Sequence, residues 1–400
     1  MKTADPELMR AINRYHVIDV VRRNGPIARV EIAERTELSR ATISAITGDL
    51  IESGLIRVVT VDASESGGRG RPRVLLEVRG EACHVVGVKL AAHRIGVTVT
   101  DARGEPLGSM VMPVRLARQS PAVIADLIED GVRQCVSDAG LRMADIQGIG
   151  IGLPGVIDAT AGISHWSPVL GSAPVPFAGQ VSQRLETQVL IENDANLVAL
   201  AEHWFGLGQG LSTFMVVTIE DGIGMGLVLD GRLHRGAHGI GPEFGHVKAD
   251  PLGLPCRCGG RGCLDAYASD WGIVQQALAC GAVEPSASQP VQLAELTHRA
   301  AAGDNRLAEL FRRAGELLGL AIANAINMIN PPLLVISGDG LRAGDMLRLP
   351  LMAAVEANVM PALREATEIV FHPWGDEMWA RGAAAIALRQ IYESPWNNAT

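Results

Sequence analysis

The stretch "CRCGGRGCLD", Cys256 to Asp265, packs three of the chain's six cysteines into eight residues. Ten residues upstream of Cys256, the segment "EFGHV" offers His246. The combined pattern is H-x9-C-x-C-x4-C. Three thiolates and one imidazole complete a closed tetrahedral shell for Zn²⁺. Gly259, Gly260 and Gly262 let the backbone turn tightly around an ion. A closed shell leaves no open position for water, so His246, Cys256, Cys258 and Cys263 are expected to hold a structural rather than a catalytic zinc. The bland alternative is three reduced cysteines in a loop. Cys83, Cys135 and Cys280 are scattered, which argues against a disulfide framework.

The 400 residues suffice for two or three domains with real cores. Hydrophobic residues at 48% and charged residues at 20% describe an ordinary globular protein. No apolar run is long enough to span a bilayer, and the first residues lack a signal-peptide pattern, so a cytoplasmic protein with no membrane partner is expected. The net charge of −9 is unevenly spread. Residues 1–80 carry 13 Lys and Arg against 11 Asp and Glu, and the rest carries 22 against 33. An acidic protein can still bind nucleic acid through one basic module.

The first eighty residues supply such a module. "NRYHVIDVVRRNGP" reads as an amphipathic helix with Val17, Ile18, Val20 and Val21 inward, ended by Asn24-Gly25-Pro26. "RVEIAERTEL" gives a short second helix with Ile32 and Ala33 inward. A third helix starts behind Ser39, a good N-cap, with Ile43, Ile46, Leu50 and Ile51 at helical spacing. This is a helix-turn-helix layout. Ser39, Arg40, Thr42 and Ser44, at the start of the third helix, can reach phosphates and base edges in a major groove. Two strands come next, "LIRVVTVD" and "PRVLLEV", around the basic tip "SESGGRGRPR". Arg69, Arg71 and Arg73 on that tip suit insertion into a narrow minor groove. The whole reads as a winged helix-turn-helix over residues 1–80. A small helical domain with a solvated loop is the competing reading.

From Val85 the texture becomes strand, loop and helix repeated, which predicts an α/β body in two lobes with a cleft between them. Four segments, "GLPGVID", "ENDANLVALAE", "GIGMGLVLDGRLHRGAHGIGPEFGH" and "CRCGGRGCLDAYAS", stand in the order found in the ROK family of repressors and sugar kinases. The chain resembles that family over essentially its whole length. The winged helix resembles the front of its repressor branch. The resemblance implies a two-lobed, actin-like (ribonuclease-H-like) fold. It implies a first lobe over 81–198, with a C-terminal helix at 378–394 packing back on it, and a second lobe over 199–377 carrying the zinc loop. It also implies a homodimer or homotetramer, and zinc held by the four ligands named above. Sugar-binding roles are implied for Asn193, Asp194, Glu243, His246 and Asp265. Asp265 stands where the family usually has Glu, which shortens the reach by one methylene. Val169 stands where glucose-binding members carry Asn, so no particular sugar is named; His165 and Trp166 lie just before it.

In the family's kinases an aspartate at the place of Asp194 is the general base. Their first phosphate loop reads D-x-G-G-T, and the matching stretch here is "KLAAH", Lys89 to His93. Ala91 and Ala92 add Cβ atoms where backbone must approach phosphate. The second loop has become "EDGIGMG", with Glu220 and Asp221 placed to repel a triphosphate. The expectation is therefore no catalysis and no catalytic residue. The expected protein is a sugar-responsive transcriptional regulator, a repressor of carbohydrate genes, with operator DNA and a sugar or sugar phosphate as partners. The alternatives are a sugar kinase with an added DNA-binding domain, and a regulator controlled by a protein partner.

Overall fold

The structure, a computed structural model, describes residues 6–61, 73–116, 119–283 and 289–392. The chain divides into two compact units. The first comprises residues 1–193, 204–209 and 376–400, and the second comprises 194–203 and 210–375.

The first unit begins with helices Pro6–Asn24, Arg29–Thr36 and Arg40–Glu52. Ser39 caps the third helix by accepting from the Thr42 amide at 3.1 Å, and Gly54, at φ +74°, turns the chain out of it. Strands Ile56–Val61 and Arg73–Val78 pair antiparallel, and the short strand Ile27–Ala28 joins the far edge of the second. This is a winged helix. Val17, Ile18, Val21, Ile32, Ile43 and Leu50 form its interior. The third helix differs from its periodic pattern in one respect. Ile46 and Ile51 are only half-buried, and Thr47 takes the inward place between them. A buried threonine is tolerated because its hydroxyl donates to Ile43 O at 2.8 Å and accepts from Arg29 Nε at 2.9 Å.

The same unit contains a five-stranded sheet in the spatial order 189–193, 146–153, 84–91, 94–101, 106–113. The first three strands in the chain run antiparallel to one another, and the last two add in parallel on the other edge. Helix Asp376–Ile391 lies against strands 84–91 and 146–153. The glycines of "VVGVK" and "GIGIG" make this approach possible: a Cβ on Gly87 or Gly150 would overlap the carbonyl oxygen of Ala380 or Ala383.

The second unit repeats this topology. Its sheet runs 232–233, 223–229, 214–219, 333–337, 368–371, again three antiparallel strands followed by two parallel additions. Helices Asn305–Ile329 and Asp345–Asn358 pack together beside it and build a core around Phe311, Leu318, Ile322, Leu334, Ile336 and Leu351. Gly315 and Gly319 leave room for the backbone of the second helix at Leu347 and Leu351. The polar stretch "ENDAN" suggests a turn by composition. Instead, strand Val189–Asn193 passes directly into helix Asp194–Phe205.

Candidate metal centre and ligand site

His246, Cys256, Cys258 and Cys263 each bring one ligand atom to a common point, and these atoms lie within 4.8 Å of one another. The Cys258 and Cys263 sulfurs are 3.7 Å apart, and the Cys256 sulfur is 3.8 Å from His246 Nδ1. A tetrahedron with zinc–sulfur bonds of about 2.3 Å has edges of about 3.8 Å. The donor set and its spacing fit a tetrahedral thiolate–imidazole ion. Two antiparallel bridges, Lys248 with Cys263 and Pro255 with Arg261, fold the loop. Gly259 and Gly262 adopt φ of +87° and +68°, which a side chain would resist.

Burial pushes the Cys256 thiol up to about 12. A coordinated cation reverses that, because a metal-bound thiol is deprotonated outright. Lys248 supports the anionic form: its ammonium donates to the Cys263 sulfur at 3.1 Å, and that contact raises its own proton affinity. Burial lowers the proton affinity of His246, which favours the neutral ring a metal needs. Its Nδ1 faces Cys256, while Nε2 lies 3.9 Å from Glu243 Oε2. At 3.9 Å the approach is longer than the hydrogen bond by which a carboxylate usually orients a ligating histidine.

Glu243 feels the charges of both Asp194 and Asp265. Desolvation first, then the charges of Asp194 and Asp265, push the Glu243 carboxyl up to about 7. Asp194 opens helix Asp194–Phe205 and accepts from the Ala195 amide at 2.9 Å. Asp265 is 2% exposed, and both of its oxygens are engaged. Oδ1 accepts from the Ile223 amide at 3.0 Å and Oδ2 from Arg257 Nε at 3.2 Å. Asn193 lies in the first unit, where its amide donates to Gly155 O at 3.0 Å. Val169 is a core residue there, 3% exposed, and His165 is exposed.

Arg257 is a residue that the ligand spacing does not single out, although an arginine between two cysteine ligands is a signal. Its Nη1 donates to Asp221 Oδ2 at 2.6 Å and its Nη2 to Asp221 O at 2.7 Å. The charge of Asp221 in "EDGIGMG" is therefore paired with Arg257, although its side chain is 45% exposed. The guanidinium fills the space beside Gly222, where a Cβ would come within 2.8 Å of Nη2. In "KLAAH", Lys89 is 3% exposed within strand His84–Ala91, its ammonium 3.6 Å from the Trp379 ring centre.

In the winged helix, Arg40 and Ser44 are exposed on the third helix, together with Ala41, Ala45 and Gly48. Ser39 and Thr42 are occupied with each other, hydroxyl to hydroxyl at 2.8 Å. Arg73 begins the strand Arg73–Val78, paired with Val61. Arg69 and Arg71 lie outside the described residues.

The winged helix-turn-helix DNA-binding family model matches residues 10–57 and the ROK family model residues 85–390. The DNA-binding transcriptional dual regulator NagC of Escherichia coli is 29% identical over 390 residues, covering 96% of this chain and 94% of that protein. The xylose repressor of Caldicellulosiruptor bescii is 29% identical over 395 residues, 97% and 98% of the two chains. A solved ROK family transcriptional regulator, described as a homologue of the E. coli MLC protein, superposes with a TM-score of 0.78 at 28% identity and covers 98% of both chains. A ROK glucokinase from Streptomyces griseus, solved with glucose and AMPPNP, matches 77% of this chain and 99% of its own, with a TM-score of 0.64 at 26% identity. With a winged helix ahead of two sheets of repeated topology and a His-Cys₃ loop, the chain belongs to the ROK family.

Proposed function

We propose that this protein is a transcriptional repressor whose grip on operator DNA is altered by a sugar or sugar phosphate. The observation that carries the reading is the union, in one chain, of a winged helix and a ROK body that align end to end with repressors named for N-acetylglucosamine and xylose. The organisation is a DNA-binding domain over 1–80, a first lobe over 81–198 completed by the C-terminal helix, and a second lobe over 199–377. Arg40 and Ser44 reach the major groove from a helix start held by Ser39 and Thr42. Arg69, Arg71 and Arg73 follow the minor groove. A homodimer presents two such modules to a two-fold operator.

Asn193, Asp194, Glu243 and His246 take the sugar hydroxyls, with Asp265 behind them. His246, Cys256, Cys258 and Cys263 hold zinc, which cross-links the loop that carries Glu243 and Asp265 toward their positions. The ion is structural, and the chain's own residues do the recognition.

Phosphoryl transfer is disfavoured by three features. Lys89 is buried under Trp379 rather than set in a phosphate loop. Arg257 occupies the space beside Gly222. Glu220, Asp221 and Asp339 lie close enough to raise the proton affinity of buried Asp270, an acidic surround for a triphosphate. The test is binding of the purified protein to DNA from upstream of its own gene, with and without sugars and sugar phosphates. Specific binding relieved by one sugar is expected. Sugar-dependent ATP consumption lost in Asp194→Asn would replace this reading with a kinase.

A further inference from the structure

Helix Pro6–Asn24 is anchored to the body of its unit by a buried guanidinium. The Arg22 side chain is 4% exposed. Its Nη1 donates to the backbone carbonyl of Trp204 at 2.8 Å, its Cζ lies 4.1 Å from the Trp204 ring centre, and Phe205 flanks it at 6.0 Å. Nη2 is steadied by Asp19 Oδ1 at 2.8 Å. Trp204 is itself fixed, stacked on Tyr392 at 5.8 Å with an interplanar angle of 16°. Arg14 also reaches the Tyr392 carbonyl, at 3.4 Å.

Trp204 stands in the last turn of helix Asp194–Phe205. Carbonyls in a last turn lack intrahelical partners, and a cation there is favoured by the helix dipole. Arg22, sharing the Trp204 carbonyl with Gln209 Nε2 at 2.9 Å, therefore holds the C-terminal end of a helix whose first residue is Asp194, ten residues or about 15 Å away along the axis. That helix is tightly seated. A Cβ on Gly226 would come within 2.5 Å of Ala195 O, and one on Gly224 within 2.6 Å of the Ala195 Cβ. Glu202, fully buried on the same helix, lies 2.7 Å from His372 Nδ1 and accepts from Trp374 Nε1 at 2.8 Å. A helix held this closely shifts as a body rather than by bending. At the other end, Val17, Ile18 and Val21 of helix Pro6–Asn24 are buried, and that helix packs on both Arg29–Thr36 and Arg40–Glu52.

We propose that Arg22 is the positioning residue through which occupancy at Asp194 is transmitted to the DNA-binding helices, because it joins helix Pro6–Asn24 to the far end of the helix that Asp194 begins. This rests on the reading of Asp194 as a ligand residue. Arginine suits the place because one planar group both stacks on an indole and donates to a carbonyl, which an ammonium does less well.

The test uses the full-length protein and DNA from upstream of its own gene. DNA affinity is measured with and without saturating D-xylose, N-acetyl-D-glucosamine or D-glucose and their phosphates. Sugar affinity is measured by calorimetry without DNA. Couplings of this kind run from about 5-fold to 150-fold. In Arg22→Lys and Arg22→Gln the ratio of DNA affinities with and without sugar is expected to fall toward 1, while sugar affinity without DNA stays within about twofold of the parent, a coupling loss that a merely structural role would not produce. A coupling ratio equal to the parent's in both variants overturns the proposal and leaves the repressor reading intact. A parent that binds DNA with a ratio of 1 for every sugar overturns both. If Arg22→Gln fails to fold, Trp204→Phe, which keeps the carbonyl and weakens the stack, is expected to lower the ratio part of the way, and an unchanged ratio there counts against Arg22.

Discussion

Arg257 Nε lies 3.2 Å from Asp265 Oδ2, and the chain neighbours of Arg257 are two cysteines of the His-Cys₃ cluster. The same guanidinium holds Asp221 by side chain and backbone. A metal on Cys256 and Cys258 thus restrains an arginine that restrains two aspartates. Arg257→Gln is expected to leave about one zinc per chain in place but to weaken sugar binding by at least tenfold. Asp265, whose side chain is 3% exposed, then loses the cation beside it, and breaking a buried pair costs about 3–5 kcal/mol. Metal analysis paired with calorimetry checks this, and unchanged sugar affinity would separate Arg257 from the ligand site.

Cys258→Ser removes one corner of the tetrahedron. Zinc content is expected to drop from about one per chain toward zero, with a melting temperature lower by several degrees, since about 1 kcal/mol corresponds to about 2–4 °C in a domain of this size. Metal measured by emission spectroscopy, with the melt followed by circular dichroism, decides it. Retained zinc would remove the assignment.

Asp194→Asn keeps the shape and the contact to the Ala195 amide but removes the charge. The sugar response is expected to disappear while DNA affinity without sugar stays within about twofold of the parent, an effect well under 1 kcal/mol. A full sugar response in the variant would reduce Asp194 to a helix cap.

Arg40 is exposed on the helix that Ser39 caps. Arg40→Ala is expected to weaken operator binding. If Arg40 reaches a phosphate, the loss is uniform across sequences and the salt slope falls by about 1. If it reads a guanine edge, the loss is about 1–3 kcal/mol and confined to one base position. Sugar affinity is unaffected either way. Binding measured against salt and against single-base variants distinguishes the two, and parental affinity would exclude this helix face from the interface.

Asp270 holds its proton well above the ordinary carboxylate range, because burial and the charges of Glu220, Asp221 and Asp339 disfavour its anion. The folded state then binds a proton that the unfolded state has released. Stability contributed by this group is present below about pH 4, the unfolded value, and is lost as pH rises toward the folded value. Asp270→Asn is expected to match the parent near pH 4 and to exceed it increasingly as pH rises, the gap widening by about 1.4 kcal/mol per pH interval of one until the folded carboxyl ionises. Urea midpoints for the two proteins at each pH check the sign. A constant gap would show that Asp270 does not titrate across this range.

The elements legible in the chain are those whose cause is local. Ser39 caps its helix through a residue three places on, and the cysteine spacing sets the reach of the metal loop. The inward face of the third helix departs from its apolar period at Ile46 and Ile51. Hydrophobicity alone does not foresee that Thr47, satisfied by Arg29 from another helix, is buried instead. The abrupt passage from Asn193 to Asp194 is hidden for a related reason: polar residues suggest a turn where they in fact start a helix.

The sequence by itself determined the winged helix, the ROK body and the His-Cys₃ cluster, because caps, apolar periods and side-chain spacings act over a few residues to a few tens. Tertiary structure alone decided the partners of the charged groups. Arg22 finds Trp204 across 182 positions, and Lys89 meets Trp379 from the opposite end of the chain. Arg257 turns Asp221 from an unpaired charge into half of an ion pair. Such pairings depend on which buried surfaces meet when each unit folds, and no short-range pattern in the chain encodes them.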